Sequence, residues 1–367
     1  MQDSHCQLNT LINENIKERV RRDNCFDFIR YFFAFSLIIV HFCTATDTEQ
    51  FWFVTGGTRV KAFFIITGFL VVYSYIRRNS LKVYFQKRAR RILPAYIVNI
   101  LFCFIVGICL TERGLSEYFS DIQTYKYLLA NLTFQNYIEP CLPGVFTQNP
   151  MPFLNASLWS MKVEVLFYLC VPFFVYAMKC WCKPIIIVTI FILSILWNEL
   201  FDYLYNTTGR EIYNLLQHQL GGQMIYFFGG TTLLLYFDKF CQYLKWLFPV
   251  CLVLYILSSR LGIWQLDYIE PLTFATIIIG TAYYCRPLNF LQRYDNISYG
   301  LYLYHFPVIQ IFIHFGLHER NIILTFILAF LTTVFISLLS WKYIEKPIMN
   351  YGKDNSSTTV QNAGNTR

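Results

Sequence analysis

Charge is scarce in this chain. Of its 367 residues only 14% are charged, against 56% apolar and 19% aromatic, and the mean hydropathy is +0.41. A water-soluble globule of this length needs more charge to cover its surface, so the composition excludes one and makes the bilayer the main solvent. A cleavable signal segment is also missing, because the first 25 residues are polar and the apolar run behind them is long enough to span. The 12 cysteines and six histidines show no zinc-like spacing, so no metal is expected. Six of the cysteines, Cys43, Cys103, Cys109, Cys170, Cys251 and Cys285, lie in or beside apolar stretches, where a thiol packs as a small hydrophobe. No motif or loop pattern repeats between the halves, which disfavours the inverted-repeat design of many transporters. No soluble domain is appended.

What is present is a series of apolar runs. A membrane core of ~30 Å takes roughly 20 apolar residues per helix, fewer when the helix is short. Ten such runs occur, over residues 26–43, 60–76, 93–110, 158–178, 184–198, 221–237, 246–258, 270–285, 297–316 and 322–341. The fifth, seventh and eighth are the shortest. The predicted fold is therefore all-α, a polytopic membrane helix bundle with about ten transmembrane helices. Placing both termini in the cytoplasm puts 21 of the 30 Lys and Arg residues inside and seven outside, with Arg30 and Lys162 within helices, as the positive-inside rule requires. The net charge of +8 is thus mainly a topology signal, and nucleic acid is not needed to explain it. Residues 1–25 form a charged cytoplasmic lead, 26–351 one membrane domain, and 352–367 a polar tail with too little apolar surface to fold. Two outer segments, 111–157 and 199–220, are long enough to shape a site.

Ionisable side chains at membrane depth are costly, and each is a candidate for function. Arg30 and His41 share the first helix, eleven positions and ~16 Å apart along its axis, which is close to three turns and sets both on one face. Glu164, on a helix entering from the outer side, descends ~9 Å below that boundary, about the depth of His41. A carboxylate and an imidazole at matched depth can work as an acid/base pair. The plainer alternatives are that Arg30 pairs with Asp27 and Glu164 with Lys162 or Arg30. His305 precedes Pro307, which frees a backbone carbonyl, so it lines a substrate path or satisfies that irregular backbone. Between the second and third runs, Arg77, Arg78, Lys82, Lys87, Arg88, Arg90 and Arg91 crowd a cytoplasmic loop. Clustered guanidinium groups there suit a phosphorylated cofactor.

Five segments together resemble acyltransferase family 3, the membrane acyltransferases that include O-antigen acetylases. They are Phe26 and Asp27 through Arg30 to His41; Phe63, Phe64 and Thr67 to Leu70; Arg88 to Pro94; Leu158 to Glu164 with Phe167 and Tyr168; and Ile297, Ser298 and Tyr299 through His305 to Pro307. A sixth, Trp341 through Glu345 to Pro347, is similar to the family's closing signature. Thr67 stands where the family has Ser, and Val165 where a second Glu is common. The resemblance implies transfer of an acyl group, most often acetyl, from cytoplasmic acyl-CoA to a hydroxyl of a lipid-linked or cell-surface polysaccharide in a bacterial inner membrane, such as lipopolysaccharide or capsule. It makes His41 the general base, with Glu164 and Arg30 beside it. Arg88 and Arg91, with Arg90, would meet the CoA phosphates, and His305, Ser298 and Tyr299 would line the substrate path. A glycan transporter or flippase, or a scaffold of envelope assembly, are the competing readings.

Overall fold

The computed structural model describes residues 11, 14–21, 24–49, 56–78, 80–261 and 264–351. The expected tail at 352–367 and most of the lead at 1–25 lie outside the described residues, although Glu14–Arg21 of the lead is a helix. Among the described residues every regular element is helical. Ten principal helices occur: α1 Phe26–Ala45, α2 Gly56–Arg78, α3 Leu81–Leu110, α4 Trp159–Cys180, α5 Lys183–Thr208, α6 Leu220–Leu235, α7 Phe237–Leu261, α8 Glu270–Tyr284, α9 Ser298–His314 and α10 Ile322–Ser340.

Each apolar run in the sequence thus has its helix, but lengths differ from expectation. Among the described residues seven helical stretches are long and apolar enough to cross a membrane, which makes this a multi-pass membrane protein. The remaining three principal helices, α6, α8 and α9, have 16, 15 and 17 residues. The fifth and seventh runs, short by sequence, belong to helices of 26 and 25 residues because their polar flanks continue the helix.

Two loops shorten for the same reason. α2 begins at Gly56, four residues before the expected run at 60–76, so Arg59 as well as Lys61 lies inside the helix. Arg59 is fully buried, donating from Nη1 to the Ser36 carbonyl at 2.5 Å, and Lys61 meets Glu270 at 3.3 Å. The arginine-rich loop is likewise the first part of α3, which runs unbroken through Pro94. Proline there removes only its own bond to the Arg90 carbonyl, while the Leu, Lys, Gln, Arg and Ala around it favour helix. On that helix Arg88 and Arg91 share a face and Arg90 points away from Arg88. The segment 111–157, expected outside, contains helices Leu115–Ser120 and Ile122–Leu132. In the segment 199–220, α5 continues to Thr208 and a further helix spans Glu211–Gln217.

The chain divides into two compact units. The first comprises residues 1–36, 53–84 and 160–294. Its centre is the crossing of α2 and α6, where a Cβ added to Gly68 would lie 1.9 Å from the Phe227 carbonyl oxygen and one added to Gly230 would lie 2.0 Å from that of Ile65. Backbone meets backbone there, so the Gly in the Thr67-Gly68-Phe69 motif is dictated by packing. Thr231 seals the crossing by donating to the Gly68 carbonyl at 3.1 Å. Along α5, Ile185, Val188, Ile192, Leu193, Leu196 and Leu200 are all exposed, the face expected toward lipid.

The second unit comprises residues 37–52, 85–159 and 295–367. Here α9 packs on α10 so closely that a Cβ on Gly300 would sit 2.9 Å from the Ser337 Cβ. The segment 111–157 is tied to α3 through the Tyr96 hydroxyl, which donates to the Asn131 carbonyl at 2.7 Å and accepts from Asn136 at 3.1 Å. Gln310, fully buried on α9, donates to the Met151 and Phe153 carbonyls, the latter at 2.7 Å, and so ties the end of the 111–157 segment to α9.

Candidate active site

The second unit holds the most concentrated chemistry. The His41 Nδ1 of α1 lies 2.8 Å from the His305 Nε2 of α9, with the rings stacked at a centroid distance of 5.0 Å. Ser157 completes the cluster, its Oγ 3.3 Å from His41 Nδ1 and 3.2 Å from His305 Nε2. His305 is fully buried, Ser157 is buried, and His41 is half-buried. The Phe306 ring stands edge-on to His41 at 5.4 Å.

Pro307 explains why these groups meet. Lacking an N–H, it leaves the Leu303 carbonyl without its helical donor. Two asparagines replace that donor: Asn155 Nδ2 donates to the carbonyl at 2.8 Å and Asn99 Nδ2 at 3.0 Å. Asn155 also donates to Asn99 Oδ1 at 3.0 Å, while its own Oδ1 accepts the Ser157 N–H at 3.2 Å and caps the short 3-10 turn Ala156–Leu158. The Tyr302 hydroxyl donates to the Ser157 carbonyl. The broken hydrogen bond of α9 therefore anchors the turn that presents Ser157. Sequence reading found the proline and His305 but missed Asn99, Asn155 and Ser157, whose only signal was polar residues in apolar surroundings.

Hydrogen-bond directions fix the tautomers. His305 Nδ1 lies 2.9 Å from the Leu301 carbonyl, which can only accept, so Nδ1 carries a proton. In the neutral ring Nε2 then bears a lone pair and accepts from His41 Nδ1–H. Neutral His41 is left with its lone pair on Nε2. The arrangement is a histidine whose basic nitrogen is set by a second histidine, itself set by a backbone carbonyl, which is the orientation a general base needs.

The other expected site residues are placed as follows. Arg30, on α1, donates to Asp27 at 3.1 Å, the plainer of its two readings. Glu164 accepts from the Tyr168 hydroxyl one turn along α4. Glu164 belongs to the first unit and His41 to the second. Arg91 meets the buried Glu345 at 3.4 Å and lies over the Tyr299 and Trp341 rings at 5.7 and 5.4 Å. Glu345 ends a π-helical turn, Trp341–Glu345, within the closing signature. Arg90 donates to the Tyr351 carbonyl at 2.6 Å, and Arg88 is half-buried on α3. Ser298 donates to Asn296 Oδ1 at 2.6 Å and Tyr299 to the Ile92 carbonyl at 3.1 Å, both in the first turn of α9, before the mid-helix Pro307. Among the described residues no three His, Cys, Asp or Glu side chains gather as metal ligands.

Two imidazoles and a hydroxyl thus meet among the helices of a multi-pass membrane protein, and the family into which the chain falls is one of acyltransferases. The chain belongs to acyltransferase family 3, whose description is an acyltransferase domain and which is matched over residues 23–342. It is similar to an O-acetyl transferase of Shigella phage Sf6, with 29% identity over 89% of this chain and 96% of that one. It is also similar to nodulation protein 10 of Rhizobium leguminosarum, 26% identical over 89% and 93% of the two chains. The peptidoglycan O-acetyltransferase OatA of Listeria monocytogenes is 24% identical over 82% of this chain, which spans about half, 52%, of that protein. No solved structure matches.

Proposed function

We propose that the protein is a membrane O-acyltransferase that moves an acetyl group from cytoplasmic acyl-CoA to a hydroxyl of a lipid-linked or cell-surface polysaccharide, with both termini in the cytoplasm of a bacterium. The observation that carries the reading is the His41–His305 pair, whose hydrogen bonds leave a basic nitrogen on His41. His41 Nε2 takes the acceptor's proton as its oxygen attacks the donor carbonyl. Family membership and two relatives named as O-acetyltransferases support the reaction class.

Arg88 and Arg90, on different faces of α3, are suited to meet separate phosphates of the donor. Both project from the first turns of α3, and the single bond from Arg90 to the Tyr351 carbonyl leaves further guanidinium donors for a phosphate. Arg91 faces the same end of the helix but is committed to Glu345, so its part is to hold that end in place. Arg30 and Glu164, in the first unit, serve the donor or acceptor from there.

The test is acetyl transfer from acetyl-CoA in proteoliposomes. His41→Ala should lower it by about 10²- to 10⁴-fold, the usual worth of a general base, with membrane insertion unchanged. Near-normal transfer in that variant overturns the role of His41. A protein that moves glycan across the vesicle without consuming acetyl-CoA would be a flippase instead.

A further inference from the structure

We propose that Ser157 carries the acyl group as a covalent ester between donor and acceptor, an inference that rests on the acyltransferase reading above. Among the described residues three buried serines spend their hydroxyl on a backbone carbonyl of their own or a neighbouring helix, and three others on a side-chain carboxylate or amide oxygen. Ser36 donates to Phe32 at 2.8 Å, Ser194 to Gly221 at 2.6 Å and Ser337 to Thr333 at 2.7 Å. Ser157 does not: its hydroxyl bonds the two imidazoles, at 3.2 and 3.3 Å. Its backbone is held on both sides, the N–H by Asn155 and the carbonyl by Tyr302. A hydroxyl that a buried serine presents to nitrogen bases, on a backbone pinned in place, has the geometry of an activated nucleophile.

The tautomers divide the labour between the rings. His305 Nε2 bears a lone pair and its Nδ1–H is oriented by the Leu301 carbonyl, so nucleophile, base and orienting acceptor stand in sequence. In the first half-reaction the His41 ring turns its Nδ1–H off His305 Nε2, and Ser157 Oγ attacks the thioester carbonyl, forming a C–O bond while its proton passes to the freed His305 Nε2. The C–S bond then breaks, and the thiolate takes that proton and leaves as the free thiol.

In the second half-reaction the acceptor oxygen attacks the Ser157 ester and gives its proton to His41 Nε2. The C–Oγ bond breaks and Oγ recovers a proton from His41 Nδ1, 3.3 Å away. His41 has gained one proton and lost one, and its tautomer resets by exchange with solvent. The donor can thus depart before the acceptor arrives, which suits a reaction whose two substrates reside on opposite sides of a membrane.

The experiment uses the full chain in proteoliposomes with [1-¹⁴C]acetyl-CoA, first without acceptor and then with lipid-linked glycan from the host's own membranes. Label should remain on the acid-denatured protein, map to the peptide containing Ser157, and move to glycan when it is added. Ser157→Ala should lose the label and on the order of 10³-fold of the transfer. Ser157→Cys should keep a label that hydroxylamine releases at neutral pH. Transfer without label on Ser157, or Ser157→Ala within about tenfold of wild type, overturns the carrier and leaves the acyltransferase standing. Neither transfer nor label in the wild type overturns both.

Discussion

Arg91 and Glu345 offer the sharpest test of how the arginine-rich start of α3 is held. The Glu345 side chain is 1% exposed and that of Arg91 is 26% exposed, with 3.4 Å between them. Breaking a fully buried ion pair by removing one partner costs about 3–5 kcal/mol, because a charge is left stranded. The partial exposure of Arg91 and the long contact bring the expected loss for Arg91→Met down to about 1.5–3 kcal/mol. Its place over Tyr299 and Trp341 adds about 0.5–1 kcal/mol per ring. Replacing both members, Arg91→Met with Glu345→Met, should recover most of that loss, since a well-packed apolar pair often equals a buried ionic one. Unfolding of the detergent-solubilised protein by denaturant measures all four corners of the cycle. Single variants within about 0.5 kcal/mol of wild type, adding without coupling, would refute the claim that Arg91 is a structural anchor. Acyl-CoA KM gives an independent readout: it should return toward wild type in the double variant.

Gly68→Ala should destabilise the first unit by about 1–3 kcal/mol or prevent its assembly, because the new methyl would occupy the Phe227 carbonyl position and only backbone movement relieves it; thermal melting of the purified protein checks this, and an unchanged midpoint refutes it. Asn155→Ala should lower acetyl transfer at least about tenfold with a smaller effect on stability, since Asn99 still serves the Leu303 carbonyl while the Ser157 turn loses its cap. Transfer kinetics set beside a melt separate those two effects.

The helical, membrane-spanning character was legible because apolar runs and their polar punctuation survive in any sequence of this class. Helix ends were harder to read. Arg59 fell just outside the apolar run because charge is the usual mark of a boundary, yet a guanidinium can enter a helix when a carbonyl such as that of Ser36 receives it. The arginines before Pro94 misled for a related reason: proline ends helices often enough to suggest a boundary, but costs only one bond when the flanking residues favour helix. At the site, His41 and His305 stood out singly as titratable groups in apolar spans. Their pairing was not readable, since it joins positions 264 residues apart. The asparagines at 99 and 155 were invisible because their partner is a backbone carbonyl, which no side-chain pattern records.

The order of hydrogen bonds in the histidine pair has a consequence for how cheaply the site accepts a proton. When His41 gains a proton on Nε2, the bond from its Nδ1–H to His305 and the bond from His305 to the Leu301 carbonyl both persist with donor and acceptor unchanged. If His305 took the proton instead, two N–H groups would face each other across 2.8 Å and one ring would have to turn. Proton uptake at His41 thus needs no heavy atom to move, and the cluster meets the charge of the reaction already in its final geometry, where stabilisation costs no reorganisation.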